Sequence, residues 1–162
     1  MAATFNDLQD AFVFELRDTL SAEKQILKAL PKMTKAASSS DLKKAFEKHH
    51  KETQEHVQRI ESALGSLQES VRAHECEGIK GLLKEGEEII EANAESEVSD
   101  ALLIAAAQKV EHYEIATYGT LCTWGELLGF DDAVDYLKKN LGEEKHADEK
   151  LTQVAEKVNA NA

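Results

Sequence analysis

The sequence predicts an all-α protein in which four long helices form a bundle and one long connection carries a short extra helix. The 162 residues include eight glycines and one proline, Pro31, and this scarcity favours long helices over strands joined by turns. Four segments repeat apolar residues at intervals of three and four, which is typical of amphipathic helices. We expect residues 1–162 to form a single domain.

The first long helix is predicted at 5–30 from its stripe of apolar residues. Asn6 or Asp7 is a suitable N-cap, because a short polar side chain can accept a hydrogen bond from the first free backbone amides. Pro31 would close or kink the end of this helix, because proline has no backbone N–H to donate.

The second long helix is predicted at 42–67. The alanines and serines at 36–40 indicate a helix end followed by a loop. Ser40 or Asp41 is the expected N-cap after that loop.

The following segment, 70–97, differs from the long helices and is interpreted as a crossover connection. It contains a shorter amphipathic stretch, IKGLLKEGEEIIEAN. Its internal glycines, Gly81 and Gly86, each weaken a helix by about 1 kcal/mol relative to alanine. We therefore expect a short helix here and no separate domain.

The third long helix is predicted from a cap at 99–100 to a stop at Gly129. The fourth is predicted from a cap at Asp131 or Asp132 to Val158. Two long helices, one long crossover and two more long helices make up the ferritin-like topology, in contrast to a simple up-and-down bundle.

The chain is acidic, with 31 acidic and 19 basic residues and a formal net charge of −12. Such a surface repels nucleic acid and anionic membranes, so we expect neither as a partner. It attracts cations, although the simpler interpretation of the charge is solubility. With no signal-peptide pattern and no apolar run of about 18 residues, a cytoplasmic location is expected. Cys76 and Cys122 lie far apart and form no CxxC pair.

Carboxylates and histidines interrupt the apolar stripes of all four long helices near their middles. In chain order they are Glu23 on the first helix; His49, Glu52 and His56 on the second; Glu111 and Glu114 on the third; and Glu144 and Asp148 on the fourth.

Buried carboxylates without partners are costly, commonly by about 1–3 kcal/mol or more each. Lysines on the same faces are scarce, so ion pairing alone would not compensate them. Two divalent metal ions could offset several carboxylates at once, and residues three or four apart on a helix project together toward such ions. Oxygen ligands with one or two imidazoles suit iron, our first expectation, or manganese.

The pattern departs from the Glu-x-x-His motif of many di-metal bundles. The second helix has His49-x-x-Glu52, and the third has Glu111-x-x-Glu114. A literal match is present on the fourth helix as Glu143-x-x-His146. However, His146 falls roughly 200° from the inward-facing Glu144 on a helical wheel, so the match is interpreted as coincidence.

Simpler interpretations exist for each residue taken singly. A lone glutamate in an amphipathic helix often lies at the edge of the apolar stripe and is solvated. Tyr113 and Tyr118 are interpreted as packing or hydrogen-bonding residues. The occurrence of such breaks at mid-length on all four helices nevertheless favours a shared buried site.

Four stretches of the chain resemble a known family: ELRDTLSAEKQILKAL, HHKETQEHVQRIE, LLIAAAQKVEHYEIATYGTL and LGEEKHADEKLT. The chain resembles the YciF- and YciE-like bacterial stress proteins, a ferritin-like family of unknown function. The resemblance implies a bacterial stress setting, homodimers and a rubrerythrin-like di-metal site. The matching motifs assign six residues to that site: Glu23, His49, Glu52, Glu111, Glu114 and Glu144. His56 and Asp148 are predicted only because they interrupt the apolar faces of their helices.

Three functions stay open at this point. The first is a non-haem di-metal oxidoreductase of the peroxidase or ferroxidase type, which would reduce peroxide or dioxygen or oxidise Fe(II). The second is metal binding or iron storage without turnover. The third is a structural stress protein in which a metal only stabilises the bundle or is absent.

Overall fold

The computed structural model describes residues 4–92 and 94–162, and these contain five α-helices and no strands. The helices are α1 (Leu8–Ala36), α2 (Ser40–Ser66), α3 (Glu77–Glu91), α4 (Ser96–Leu128) and α5 (Asp131–Asn159). The four long helices form a ferritin-like bundle in which α1 packs on α2, α4 on α5, α2 on α5 and α1 on α4. The short helix α3 lies in the crossover and packs against α4 and α1.

The first helix is longer than the sequence predicts and does not end at Pro31. The helix continues to Ala36, with Pro31 in its last third on the exposed side. Proline has no backbone N–H, so it cannot donate a hydrogen bond to the carbonyl one turn earlier in the helix. On the exposed side, water can donate to that carbonyl instead. Asp7 is the N-cap, as expected, and its side chain accepts a hydrogen bond from the Asp10 backbone at 2.9 Å.

The other helix starts differ from the predicted caps. Ser39, rather than Ser40 or Asp41, caps α2 through its side-chain oxygen. Helix α4 begins at Ser96, before the predicted cap at 99–100. Asp131 and Asp132 lie inside the first turn of α5, where their charges complement the helix dipole, and neither caps it.

Asp100, predicted as part of a cap for its own helix, instead fixes the turn between α1 and α2. It is buried, and its two carboxylate oxygens accept hydrogen bonds from the backbone amides of Ser38 and Ser39 at 2.7 and 2.6 Å. Gly129 ends α4, as predicted, in the left-handed conformation (φ 72°) that glycine adopts without strain.

The bundle has two apolar cores, one on each side of its middle. One core contains Ile26, Phe46, Ile104 and Leu151, and the other contains Leu16, Ile60, Tyr118 and Leu137. Each long helix passes from one core to the other, and its mid-length polar residues lie between the two. None of the helices in the described ranges is long and apolar enough to cross a bilayer.

Candidate metal centre

A buried polar layer separates the two apolar cores, and all four long helices contribute to it. Its members are at most 5% exposed: Glu23 from α1; His49, Thr53 and His56 from α2; Glu111 and Glu114 from α4; and Asn140 and Glu144 from α5. Residues at intervals of three or four share one face of a helix, so each helix directs these side chains inward.

The first group of potential ligands consists of His49, Glu111, Glu114 and Glu144. One nitrogen or oxygen atom from each residue lies within 4.8 Å of the others. The Nε2 atom of His49 is 3.4 Å from Glu111 Oε1 and 3.7 Å from Glu144 Oε2. Three carboxylates and one imidazole therefore lie close enough together to hold one metal ion.

The second group consists of Glu23, His56 and Glu144. His56 Nδ1 lies 2.9 Å from Glu144 Oε1 and 3.2 Å from Glu23 Oε1. Glu144 belongs to both groups: its Oε2 faces His49 and its Oε1 faces His56. The two groups are therefore adjacent and share one carboxylate.

The unpaired polar atoms of the layer fit a cation-binding site. Within the described residues, nine side-chain atoms of these six residues are buried without a hydrogen-bond partner, including both oxygens of Glu114 and of Glu144 and both nitrogens of His49. Buried polar atoms are nearly always hydrogen-bonded, since desolvation without compensation is costly. The donor set, oxygen with imidazole, fits iron or manganese.

Electrostatics of the layer lead to the same conclusion. Burial first, and then the neighbouring carboxylates Glu23 and Glu111, raise the pKa values of Glu114 and Glu144 well above the ordinary glutamate value. Without cations, these side chains would hold protons to relieve the repulsion. Binding of divalent ions would therefore release protons from the layer.

The pKa values of the two histidines are also raised, although burial alone would lower them. Desolvation alone would lower the pKa of His49, but Glu111 and Glu52 outweigh it and the pKa is raised. Desolvation would likewise lower the pKa of His56, but Glu23 and Glu143 outweigh it. Protonated imidazoles are thus the partners available to the carboxylates when no metal is bound.

Two of the residues predicted as ligands lie outside both groups. Glu52 is partly exposed and accepts a hydrogen bond from Lys48, and its Oε2 is 3.8 Å from His49 Nδ1. Asp148 accepts a hydrogen bond from Gln108 at 3.1 Å and lies 3.3 Å from the exposed His112. Their helical positions are at the edge of the inward face, where neighbouring polar side chains pair with them.

Sequence reasoning gave Glu143 and Asn140 no role at the layer, whereas Tyr118, interpreted as a packing or hydrogen-bonding residue, is confirmed as one. Glu143 Oε2 lies 2.8 Å from His56 Nε2 and accepts a hydrogen bond from Arg59 at 2.6 Å. The Tyr118 hydroxyl donates to Glu23 Oε1 and accepts from Asn140 Nδ2 at 3.1 Å. The available signal was the position of Asn140, one turn before Glu144 on the same face.

The literal Glu143-x-x-His146 motif has two different outcomes. His146 is exposed, in agreement with the helical-wheel argument against it. Glu143, dismissed with it, contacts His56 from outside the layer. The helical wheel of α5 compared Glu144 with His146 and contained no information on contacts of Glu143 with a residue of another helix.

The fold and the site together define a class of protein. A four-helix bundle with one long crossover, in which carboxylates and histidines from every long helix converge at mid-height, is the architecture of the ferritin-like carboxylate proteins. The chain belongs to the family described as Domain of unknown function (DUF892), which matches residues 7–162.

Individual bacterial proteins support this assignment. Protein YciF of Escherichia coli K12 is 46% identical over 149 residues, which cover 91% of this chain and 90% of that protein. The crystal structure described as that of the E. coli stress protein YciF matches with a TM-score of 0.94 at 43% identity, covering 98% of this chain and 100% of that one.

Two further solved structures extend the comparison. YcfI from Rhodopseudomonas palustris matches with a TM-score of 0.90 at 42% identity, covering 94% of this chain and 97% of that one. A protein from Xanthomonas campestris pv. campestris has a TM-score of 0.75 at 19% identity and covers 95% of this chain and 94% of that one. At that identity, the second likeness concerns the fold alone.

Proposed function

We propose that the chain is a ferritin-like oxidoreductase that holds two divalent metal ions, iron in the first place and manganese as the alternative, in its mid-bundle layer. Its substrates would be a small oxidant, peroxide or dioxygen, and in the ferroxidase form Fe(II). The description of the relative YciF as a stress protein supports a role in which such chemistry protects a stressed bacterial cell.

The observation that carries this proposal is the set of nine buried, unpartnered ligand atoms in one layer. Ordinary packing does not account for them, because removing a carboxylate from water without a partner is strongly unfavourable. A structural layer could use protonated glutamates and hydrogen bonds, but here the atoms face one another without aligned hydrogen bonds.

The residues divide into two ligand sets. His49, Glu111 and Glu114 would hold one ion, Glu23 and His56 would hold the other, and Glu144 would serve both. When bound, iron supplies one-electron and dioxygen chemistry that no protein side chain provides. The apolar cores on both sides of the layer exclude water from the site, and the Tyr118 hydroxyl orients Glu23.

The space available beside the layer limits the substrate. A cavity of about 20 Å³ is lined by residues that include Phe46, His49, Glu52, Glu111 and Ala147. A volume of that order accommodates roughly one water molecule. A two-atom oxidant or a single cation is therefore a better substrate for this site than an organic molecule.

The test is metal content followed by reactivity. Protein purified without an affinity tag or chelator, or loaded anaerobically with Fe(II), is expected to contain about two ions per chain, consistent with its two ligand groups. Mixing the Fe(II)-loaded protein with peroxide in a stopped-flow instrument should give rapid oxidation. Two ions without oxidation would indicate storage or a structural metal, and the absence of metal after loading would contradict the proposal.

A variant pair sharpens this test. Glu144→Gln is expected to lose both ions, since Glu144 lies in both groups. Glu149→Gln removes the same charge from the exposed side of α5 and should keep the wild-type stoichiometry. Equal metal content in the two variants would show that Glu144 is not a ligand.

A further inference from the structure

The two histidines of the layer present different nitrogens to it. His56 directs Nδ1 inward, at 2.9 Å from Glu144 Oε1, and Nε2 outward. His49 directs Nε2 inward, at 3.4 Å from Glu111 Oε1, and Nδ1 toward Glu52. A neutral imidazole has one N–H and one lone pair, so the outer partner of each ring determines which nitrogen is free to bind a metal.

The outer side of His56 is closely held. Glu143 Oε2 lies 2.8 Å from Nε2. Arg59 fixes that carboxylate from both sides, with Nη1 at 2.6 Å from Oε2 and Nη2 at 3.2 Å from Oε1. Arg59 also donates to Asn140 Oδ1 at 3.0 Å, and Asn140 donates to the His56 carbonyl at 3.4 Å. His56 is therefore enclosed by a connected set of hydrogen bonds.

The environment of Glu143 differs from that of a ligand. Its side chain is 31% exposed, and both of its oxygens accept hydrogen bonds from Arg59. Its chain neighbour Glu144 is fully buried, and both of its oxygens lack hydrogen-bond partners. Consecutive residues differ by about 100° around a helix, which places one glutamate inside the layer and the other behind His56.

The His49 nitrogen that faces away from the layer is held less closely than that of His56. Its Nδ1 lies 3.8 Å from Glu52 Oε2 and has no hydrogen-bond partner among the described residues. Glu52 accepts a hydrogen bond from Lys48, whose side chain is 54% exposed. Glu52 thus occupies a position analogous to that of Glu143, without the hydrogen bond and without a guanidinium to fix it.

We propose that Glu143, held by Arg59, is a positioning residue that keeps His56 as the Nε2–H tautomer and so selects Nδ1 as its metal-binding atom. This inference rests on the proposed metal centre and deepens it. A carboxylate that accepts the outer N–H of a ligating histidine orients the ring and increases its donor strength. His49 binds through the other nitrogen, Nε2, and depends much less on its outer carboxylate.

The spectroscopic test uses the full-length protein loaded with Zn(II), which is diamagnetic. Two-dimensional ¹⁵N spectra of the histidine rings distinguish a metal-bound nitrogen from a protonated one. We expect Nδ1-bound, Nε2-protonated His56 and Nε2-bound His49. Zinc binding with His56 attached through Nε2 would overturn this inference alone, whereas a protein that binds neither zinc nor, on anaerobic loading, Fe(II) would overturn the metal centre with it.

Affinity measurements test the role of Glu143 independently. Glu143→Ala is expected to weaken Zn(II) binding by about 10–100-fold, as for other outer partners of ligating histidines, with the number of bound ions unchanged. Glu143→Gln retains a side-chain carbonyl as acceptor and should keep both the Nδ1-bound signature and most of the affinity.

The matched control is Glu149→Ala, which removes one carboxylate from the exposed side of the same helix and should bind zinc like the wild type. If Glu143→Ala and Glu149→Ala bind equally well, Glu143 does not position His56. Loss of one whole equivalent of zinc in Glu143→Ala would instead make Glu143 a ligand. Loss of the Nδ1-bound signature in Glu143→Gln, with zinc still bound, would also overturn the inference.

Discussion

Tyr118 connects the polar layer to the apolar core beneath it. Its ring is fully buried in that core, and its hydroxyl donates to Glu23 while accepting from Asn140. Burial first, and then the charges of Glu23 and Glu114, raise the pKa of Tyr118 well above the ordinary value. The phenol therefore stays protonated at all physiological pH values and acts as a permanent donor to Glu23.

Replacing Tyr118 with phenylalanine should destabilise the metal-free protein. The change removes one buried donor and leaves polar atoms of Glu23 and Asn140 without their partner, which typically costs about 1–3 kcal/mol. Urea denaturation of the chelator-treated protein measures the change. Tyr136→Phe, at a partly buried position in the same core, is the control, and an equal loss in both variants would contradict the role of the Tyr118 hydroxyl.

At the residue scale, helical periodicity located much of the candidate site. Six of the eight residues predicted from the sequence lie in the two groups described above, because inward position depends mainly on spacing along one helix. That these six bind metal remains a prediction. Glu52 and Asp148 lie outside both groups, and Glu143 was not proposed, because all three lie at the edges of the inward faces, where side-chain partners determine their contacts.

At the element scale, the end of α4 approaches its neighbours closely at a glycine. A β-carbon on Gly125 would lie 2.6 Å from Val134 Cγ2 and 3.3 Å from Phe12 Cε2. Such distances are too short for packed carbon atoms, and Val134 is a β-branched residue with restricted side-chain rotamers. Gly125 therefore allows α4, α5 and α1 to come together at one end of the bundle.

Alanine substitutions at two glycines of α4 should have opposite effects. Gly125→Ala is expected to reduce the free energy of unfolding by about 1–3 kcal/mol through overpacking. Gly119→Ala, where a β-carbon meets nothing within 4 Å, should increase it by up to about 1 kcal/mol, since alanine favours the helix. Thermal or chemical denaturation of both variants checks this, and stabilisation of Gly125→Ala would contradict the packing argument.

The number and order of the helices were predicted better than their caps. The apolar stripe of a helix extends over many residues and depends on that helix alone, which makes it readable from the sequence. The four long helices and the crossover helix were confirmed. Caps depend on single side chains and on distant partners. Asp100, for example, satisfies amides that lie 62 and 61 residues earlier in the chain, a contact that no local pattern reveals.

At the scale of the whole molecule, the polar layer should make the stability of the metal-free protein depend on pH. The pKa values of Glu114 and Glu144 are raised above 4.5, and those of His49 and His56 are raised above 6.5. The folded state therefore holds protons that the unfolded chain releases as pH rises through 4.5 for the glutamates and 6.5 for the histidines. For each proton that the folded state still holds and the unfolded chain has released, the free energy of unfolding falls by at most about 1.4 kcal/mol per pH unit.

The free energy of unfolding of the metal-free protein is thus expected to fall as pH rises from about 5 to 8. Below this window stability should also fall, because the pKa values of Glu52, at about 2, and Glu143 are lowered in the folded state. Denaturation in urea at a series of pH values after chelation measures the profile. Glu114→Gln should flatten the upper slope, and a wild-type profile that rises between pH 5 and 8 would contradict the assignment.

The overall architecture was predictable because two independent properties agree. The long connection between the second and third long helices indicates the ferritin-like topology, and polar residues at mid-length on every long helix come together in one layer when the four helices form a bundle. The packing of α3 on α1 and α4, by contrast, depends on the match of surfaces, which a single sequence does not display.

The shared carboxylate of Glu144 has a consequence for how the site fills. One of its oxygens faces each group, and its proton must leave before either ion can use it. If two ions bind as proposed, the ion that arrives first would bear the cost of that ionisation, and its charge would then act on the neighbouring position. The two ions would therefore affect each other's binding, and by thermodynamic reciprocity each would alter the affinity for the other by the same factor.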